Sequence, residues 1–155
     1  MACLWIIRHA DAEKDNYEND FERDITPDGR KEAIASREKF LQKCDQVGLA
    51  LVSSAKRTQQ TADLLTFPMG WSRQNLDQLY ECQITDALQL LAEKLKNCTS
   101  EVALVGHNPF VSNFCSYLCG DFINLKTANI CRLKIEEKDF KIALILKGCW
   151  DLKLL

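Results

Sequence analysis

A chain of 155 residues with 46% apolar and 27% charged side chains has the make-up of one ordinary globular domain, long enough to bury roughly two thirds of the surface its unfolded form exposes. A net charge of −2 argues against a general nucleic-acid binder; no apolar run approaches the roughly 20 residues a bilayer requires, and no basic region followed by a long apolar segment opens the chain. Eight cysteines at scattered positions, no C-x-x-C and only two histidines disfavour a zinc site and read as buried free thiols of a cytoplasmic protein, expected to fold as a single domain over 1–155.

Cys3-Leu4-Trp5-Ile6-Ile7 is an apolar run of strand length that ends at Arg8 and His9, the pattern of a strand covered on both faces with polar groups at its carboxyl end. Residues 11–24 are polar and aperiodic and read as a loop at the mouth of whatever Arg8 and His9 form. Thr26-Pro27-Asp28 predicts a helix start, with a hydroxyl cap, proline at the first helical position and an acid in the first turn. Ala33, Ile34, Arg37, Phe40, Leu41 and Cys44 carry that helix to about Lys43 with one buried face. Leu49-Ala50-Leu51-Val52-Ser53 predicts a second strand. A helix capped by Ser54 follows, with Ala55, Thr58, Ala62 and Leu65 inward, and Phe67-Pro68-Met69-Gly70 ends it.

Residues 71–82 read as a short strand and a connecting loop, and Ile84, Ala87, Leu88, Leu91 and Leu95 as the core stripe of a third helix. Val102-Ala103-Leu104-Val105-Gly106 is the third apolar strand. His107 stands at its end, then Asn108 as cap and Pro109 at the first helical position, with Phe110, Val111, Phe114, Cys115 and Leu118 buried as far as Cys119-Gly120. Cys131, Leu133 and Ile135 then alternate with charged residues, and a further run over 140–146 completes an antiparallel edge. The alternation of strand and helix predicts a three-layer α/β/α sandwich on a mostly parallel sheet.

In such a sheet the carboxyl ends of the parallel strands lie on one edge, where open α/β sheets bind their ligands. Arg8-His9, Ser53-Ser54 leading to Arg57, and Gly106-His107 converge there, and both histidines of the chain are among them. Counted from Ser54 as cap, Lys56 and Arg57 take the second and third helical positions, where the helix dipole disfavours a cation by about 0.3–1 kcal/mol. Lys56 reads as facing solvent. Arg57 beside free helix N–H groups makes a site for a phosphate-sized anion. The chain has no G-x-x-x-x-G-K, no cysteine followed by an arginine after five intervening residues and no D-x-D, which leaves histidine as the nucleophile. The competing reading of His9 and Asp11 as metal ligands finds few further ligands, so neither a metal nor another cofactor is expected.

Ile7-Arg8-His9-Ala10 resembles the R-H-G signature of the histidine phosphatase (phosphoglycerate-mutase-like) superfamily. Ser53-Ser54-Ala55-Lys56-Arg57-Thr58-Gln59-Gln60-Thr61-Ala62 resembles its S-x-x-x-R-x-x-Q-T-A segment, Val105-Gly106-His107-Asn108-Pro109 its G-H motif, and Thr26-Pro27-Asp28-Gly29-Arg30 its L-T-x-x-G-r element. The short length and the G-H-N-P form are most similar to the small, SixA-type phosphohistidine phosphatase branch. The resemblance implies the phosphoglycerate-mutase-like fold, His9 as a nucleophile that becomes a covalent phosphohistidine, and Arg8, Arg57 and His107 around the transferring group, whose spreading charge they would stabilise.

It further implies a metal-independent, monomeric phosphatase acting on a phosphohistidine of a phosphorelay or phosphotransfer protein. The alternatives are a phosphatase of small phosphomonoesters on the same site and, from another class, a non-catalytic phosphate-binding module. Arg23, Ser54 and Asn108 are candidate substrate-binding residues, and Glu81 and Asp11 candidate general acids. An imidazole leaving group needs that acid less than an alkoxide does, which favours phosphohistidine. Ala10 departs from the glycine of the signature.

Overall fold

Continuous apolar runs need cover on both faces, and the computed structural model provides it. It describes residues 2–94, 101–136, 144 and 150–155. In chain order the strands and helices are β1 (Ala2–Arg8), α1 (Pro27–Lys43), β2 (Gly48–Ser53), α2 (Lys56–Leu65), β3 (Ser72–Leu76), α3 (Ile84–Lys94), β4 (Glu101–Gly106), α4 (Phe110–Cys119), β5 (Ile130–Ile135) and β6 (Asp151–Leu154). Two 3-10 turns, Asp20–Glu22 and Asp77–Leu79, lie in the loops.

The strands form one six-stranded sheet in the order β3-β2-β4-β1-β5-β6. β1, β2, β3 and β4 run parallel, while β5 is antiparallel to β1 and β6 to β5. Period-two alternation divides the core between the faces. Leu4 and Ile6 of β1 pack with Leu91, Val111 and Phe114 under α3 and α4, whereas Cys3, Trp5 and Ile7 pack with Phe40, Ala62 and Leu65 under α1 and α2. Every residue of β2 and β4 is buried. Complete burial of a large apolar side chain contributes about 1.5–3 kcal/mol. This is the three-layer α/β/α sandwich with an antiparallel edge that the strand–helix alternation predicts.

Thr26 caps α1 as expected, its hydroxyl accepting from the Gly29 N–H at 2.9 Å, with Pro27 at the first position. The buried face of α1 is narrower than its sequence stripe: Ala33 and Phe40 are buried, but Ile34 and Leu41 are 37% and 42% exposed. Two other helix starts differ from expectation. α2 begins after Ala55, not after a Ser54 cap, and has no side-chain cap at all. Arg57 is therefore its second residue. α4 begins at Phe110 with Pro109 in the capping position, although Asn108 still accepts from the Ser112 N–H at 3.3 Å.

The strand expected over 140–146 lies outside the described residues except for Leu144, which is helical; the antiparallel partner of β5 is β6. Of the cysteines, Cys3, Cys115 and Cys131 are buried thiols and Cys44, Cys82 and Cys119 are half-buried; all six are free. Cys98 and Cys149 lie outside the described residues. The Cys115 thiol has Cys131 of β5 as its hydrogen-bond partner.

Candidate active site

The carboxyl ends of β1, β2 and β4 meet because β4 lies between the other two, with Arg8 registered against Gly106. Just beyond them is a cavity of about 370 Å³. Arg8, His9, Arg57 and His107 line it, each delivered by a strand end or helix start, and Arg23 and Asn108 join them.

His9 is 8% exposed and its backbone is pinned between strands: its N–H donates to the Gly106 carbonyl at 3.1 Å, and its carbonyl accepts from the Ala128 N–H at 3.0 Å. Its Nδ1 lies 2.7 Å from the Ala10 carbonyl oxygen. A carbonyl only accepts, so the ring proton of neutral His9 sits on Nδ1 and Nε2 keeps its lone pair. Burial, reinforced by the positive charges of Arg57, Arg8 and Arg23, pushes the His9 pKa down to about 4. The imidazole is therefore neutral and nucleophilic at physiological pH. Ala10 is fully buried, and the left-handed backbone positions other than glycine are Thr66 and Ala128. The departure of Ala10 from the glycine of the signature therefore brings no strain.

The loss of a Ser54 cap is explained by Ser53. Its carbonyl accepts from Thr58 Oγ1 at 2.8 Å and from Gln59 Nε2 at 2.6 Å, so two side chains of α2 hold the strand end that precedes them. Its hydroxyl accepts weakly from the Ala55 N–H at 3.4 Å and lies 2.8 Å from His107 Nε2. A hydroxyl both donates and accepts, so either tautomer of neutral His107 satisfies this contact, which fixes the orientation of the ring. Burial, then the charge of Arg57, lowers the His107 pKa to about 3, so this ring is also neutral. Ser54 itself is not part of the cavity wall.

Thr61 joins the elements: its hydroxyl accepts from the Ala10 N–H at 2.9 Å and donates to the Arg57 carbonyl at 2.7 Å. Gln60 accepts from the Ile25 N–H at 2.8 Å and donates to Asp24 at 2.8 Å, tying α2 to the loop over 11–24. The R-x-x-Q-T-A spacing thus places one cavity-lining arginine and the two side chains that fasten its helix to β1 and to the loop. Lys56 is not simply solvent-facing; it pairs with Asp24 at 3.0 Å.

Three nitrogens of cavity-lining residues, Arg8 Nε, Arg57 Nε and His107 Nδ1, are buried without a hydrogen-bond partner. An unsatisfied buried donor costs about 1–3 kcal/mol. Two guanidinium groups with such nitrogens, beside an imidazole with another, have the chemistry to meet the acceptor oxygens of an anion.

Two residues of the cavity, Asp20 and Tyr80, are not singled out by the sequence. Asp20 accepts from Tyr80 Oη at 2.5 Å, from Arg23 Nη1 at 3.0 Å and from Arg57 Nη2 at 3.0 Å, while its carbonyl accepts from Arg57 Nη1 at 2.6 Å. Burial alone would raise the Asp20 pKa, but the hydrogen bonds from Tyr80, Arg23 and Arg57 hold it far below the usual carboxylate range. It is an ionised positioning group and no proton donor. The aperiodic loop that carries it has one usable sequence feature, its three-residue spacing from Arg23.

The candidate acids separate. Asp11 does not line the cavity; its carboxylate accepts from the Thr26 hydroxyl at 2.8 Å and so serves the start of α1. Glu81 is exposed and lines the cavity beside Tyr80. Among the described residues no three His, Cys, Asp or Glu side chains are grouped to hold a metal ion, and no helix is long and apolar enough to cross a membrane.

A family model described as the histidine phosphatase superfamily (branch 1) matches residues 4–96. No curated protein matches the chain. Among solved structures, a protein assigned as phosphohistidine phosphatase SixA from Nakamurella multipartitia is similar with a TM-score of 0.85 at 23% identity, over 99% of this chain and 95% of that one. The protein histidine phosphatase SixA in complex with tungstate gives 0.78 at 22% identity, over 97% and 94%. A phosphoserine phosphatase from Entamoeba histolytica in complex with 3-phosphoglyceric acid gives 0.65 at 15% identity, over 86% and 91%. At these identities the likeness is one of fold, and that fold is the phosphoglycerate-mutase-like one.

Proposed function

Because the chain belongs to the histidine phosphatase superfamily, whose model covers more than half of it, we propose that this phosphatase hydrolyses phosphohistidine on a protein substrate through a covalent intermediate at His9. The observation that carries the reading is the Nε2 lone pair of His9 in a cavity lined by two arginines whose buried Nε–H groups have no partner. His9 Nε2 attacks phosphorus in line, the bond from phosphorus to the leaving imidazole breaks, and that imidazole takes a proton from solvent. Water then attacks phospho-His9, releasing inorganic phosphate and restoring the free ring. Arg8, Arg57 and His107 supply donors to the equatorial oxygens, whose charge spreads in the transition state, and Arg23 and Asn108 line the approach. Tungstate, the ligand of one similar phosphatase, is an oxyanion that suits the same donors.

Phosphohistidine is favoured because the site offers no buried protonated acid. Asp11 is engaged elsewhere and Asp20 is ionised. The phosphorelay or phosphotransfer class of substrate, a monomeric state and a cytoplasmic setting complete the proposal; the six free thiols fit a reducing compartment. A second reading, hydrolysis of small phosphomonoesters, is favoured by Glu81, an exposed carboxylate on the cavity wall that would protonate an alkoxide. In the deciding experiment His9→Ala abolishes turnover of phosphohistidine and of phosphoramidate and yields no acid-labile phosphoenzyme, while chelators leave the wild type unchanged. Unchanged turnover in His9→Ala would overturn the reading. Fast ester hydrolysis that Glu81→Gln removes would transfer it to small esters.

A further inference from the structure

The cavity around His9 opens into a larger groove of about 660 Å³ that shares Tyr80, Glu81, His107 and Asn108 with it. One wall is the segment entering α3, with Ile84 and Thr85, and the other is the start of α4, with Phe110 and Asn113. A phosphoryl group seated on Arg8 and Arg57 leaves the rest of the substrate to occupy this groove. Among the described residues no lysine or arginine lines it, and its one charged group is Glu81. His107 is 7% exposed, and its unpartnered Nδ1 belongs to a residue that lines both spaces.

Glu81 also belongs to a third depression of about 380 Å³, along the outer side of α3, whose other charged lining groups are Asp86 and Glu93. Its described lining likewise holds no cation. Among the described residues an acidic strip therefore leads away from the cavity, while arginines line the cavity itself.

We infer that the groove and the α3 strip form a docking surface for a polypeptide whose phosphohistidine is flanked by basic residues. The inference rests on the proposed phosphohistidine activity and adds the charge of the substrate. A leaving group that places a carboxylate in the groove meets the like charge of Glu81, with no lysine or arginine in the described groove lining to pair it. A lysine or arginine side chain lying along Glu81, Asp86 and Glu93 gains attraction over the whole strip and is steered toward the groove. Ile84 and Phe110 provide apolar contact for the aliphatic parts of such side chains and for the imidazole.

The test compares three phosphohistidine peptides that differ only in their flanking residues, Lys, Ser or Glu, with phosphoramidate, whose ammonia leaving group does not reach the groove. The expected order of kcat/KM is Lys above Ser above Glu, spanning about tenfold at low ionic strength. The span contracts near 1 M salt, where the screening length falls to about 3 Å. The double variant Asp86→Asn, Glu93→Gln narrows the Lys-to-Glu span and leaves phosphoramidate turnover unchanged. Asp86 accepts from the Gln83 N–H at 3.2 Å, and the amide oxygen introduced by Asp86→Asn keeps an acceptor for that group. Equal rates on the three peptides, alongside phosphoramidate turnover that depends on His9, overturn the docking surface and leave the proposed activity standing. A full span persisting in the double variant overturns the assignment to α3. Failure to hydrolyse any of the four substrates overturns both.

Discussion

The working state of each histidine depends on an atom outside the ring: the Ala10 carbonyl sets the tautomer of His9, and the Ser53 hydroxyl holds the orientation of His107. Ser53→Ala removes the second of these without touching the cavity lining. The expected outcome is a fall of about 10- to 100-fold in kcat on phosphoramidate, the usual scale for losing the group that orients a working histidine. KM and thermal stability change little, and Ser53→Thr, which keeps the hydroxyl, recovers most of the rate. Steady-state kinetics beside a melting curve checks this, and a wild-type kcat in Ser53→Ala would show that the ring is not positioned there. The sequence discloses Arg8, His9, Arg57 and His107 because each stands where an apolar strand ends or a helix begins, a position that periodicity locates. It does not disclose Ser53 as the partner of His107 or Asp20 as the partner of Arg57. Those pairings depend on loop geometry and on contacts across 54 and 37 residues. Asp11 misleads because nearness to His9 along the chain says nothing of direction, and its carboxylate serves Thr26.

At the level of elements, the site depends on how the first turn of α1 seats against the end of β1. The Thr26 N–H donates to the Asp11 carbonyl at 2.9 Å, and a Cβ placed on Gly29 would collide with that same carbonyl. This explains the glycine of the T-P-D-G element as a close backbone approach and not as a need for flexibility. Gly29→Ala is expected to destabilise by about 1–3 kcal/mol, the range for overpacking a closed contact. It should lower the urea midpoint with an unchanged m-value, and activity should fall with it because the displaced segment carries on to His9. An unaltered midpoint would mean that the segment moves aside freely. Such close approaches are invisible to pattern reading, which finds helix starts through caps and prolines. Pattern succeeds at α1, where Thr26 is a true cap, and misplaces the start of α2, which has no capping side chain and is instead tied to β2 by Thr58 and Gln59 donating to the Ser53 carbonyl. The α1 stripe is overread for a related reason. Helical spacing puts Ile34 and Leu41 on the apolar side, but the surface that α1 covers reaches only Ala33 and Phe40.

For the whole molecule, the order β2-β4-β1 brings together groups about fifty residues apart in sequence, and it does so by burying two imidazoles beside three arginines. That arrangement has a cost that depends on pH. Folded His9 and His107 stay unprotonated down to about pH 4 and about pH 3, whereas an unperturbed histidine titrates near 6.5. Between those values the unfolded chain binds more protons than the folded one, so stability falls as pH drops from about 6.5 toward 4. Asp20 extends the fall below its ordinary value of 3.8, since the folded carboxylate stays ionised where the unfolded one protonates. The urea midpoint is therefore expected to be lower at pH 5 than at pH 7, with the difference reduced in His107→Gln, which removes one of the two buried rings. Equal wild-type midpoints at pH 5 and pH 7 would mean that the folded protein accommodates protonated histidines. An oxyanion should act in the opposite direction, because it supplies acceptors to Arg8 Nε and Arg57 Nε beside His107 only when the three strand ends are assembled. At pH 7, tungstate at about 100 times its Kd should add about 2.7 kcal/mol to the unfolding free energy of the wild type. Chloride at matched ionic strength should add far less, and a tungstate effect no larger than that of chloride would show that the unsatisfied donors do not constitute an anion site.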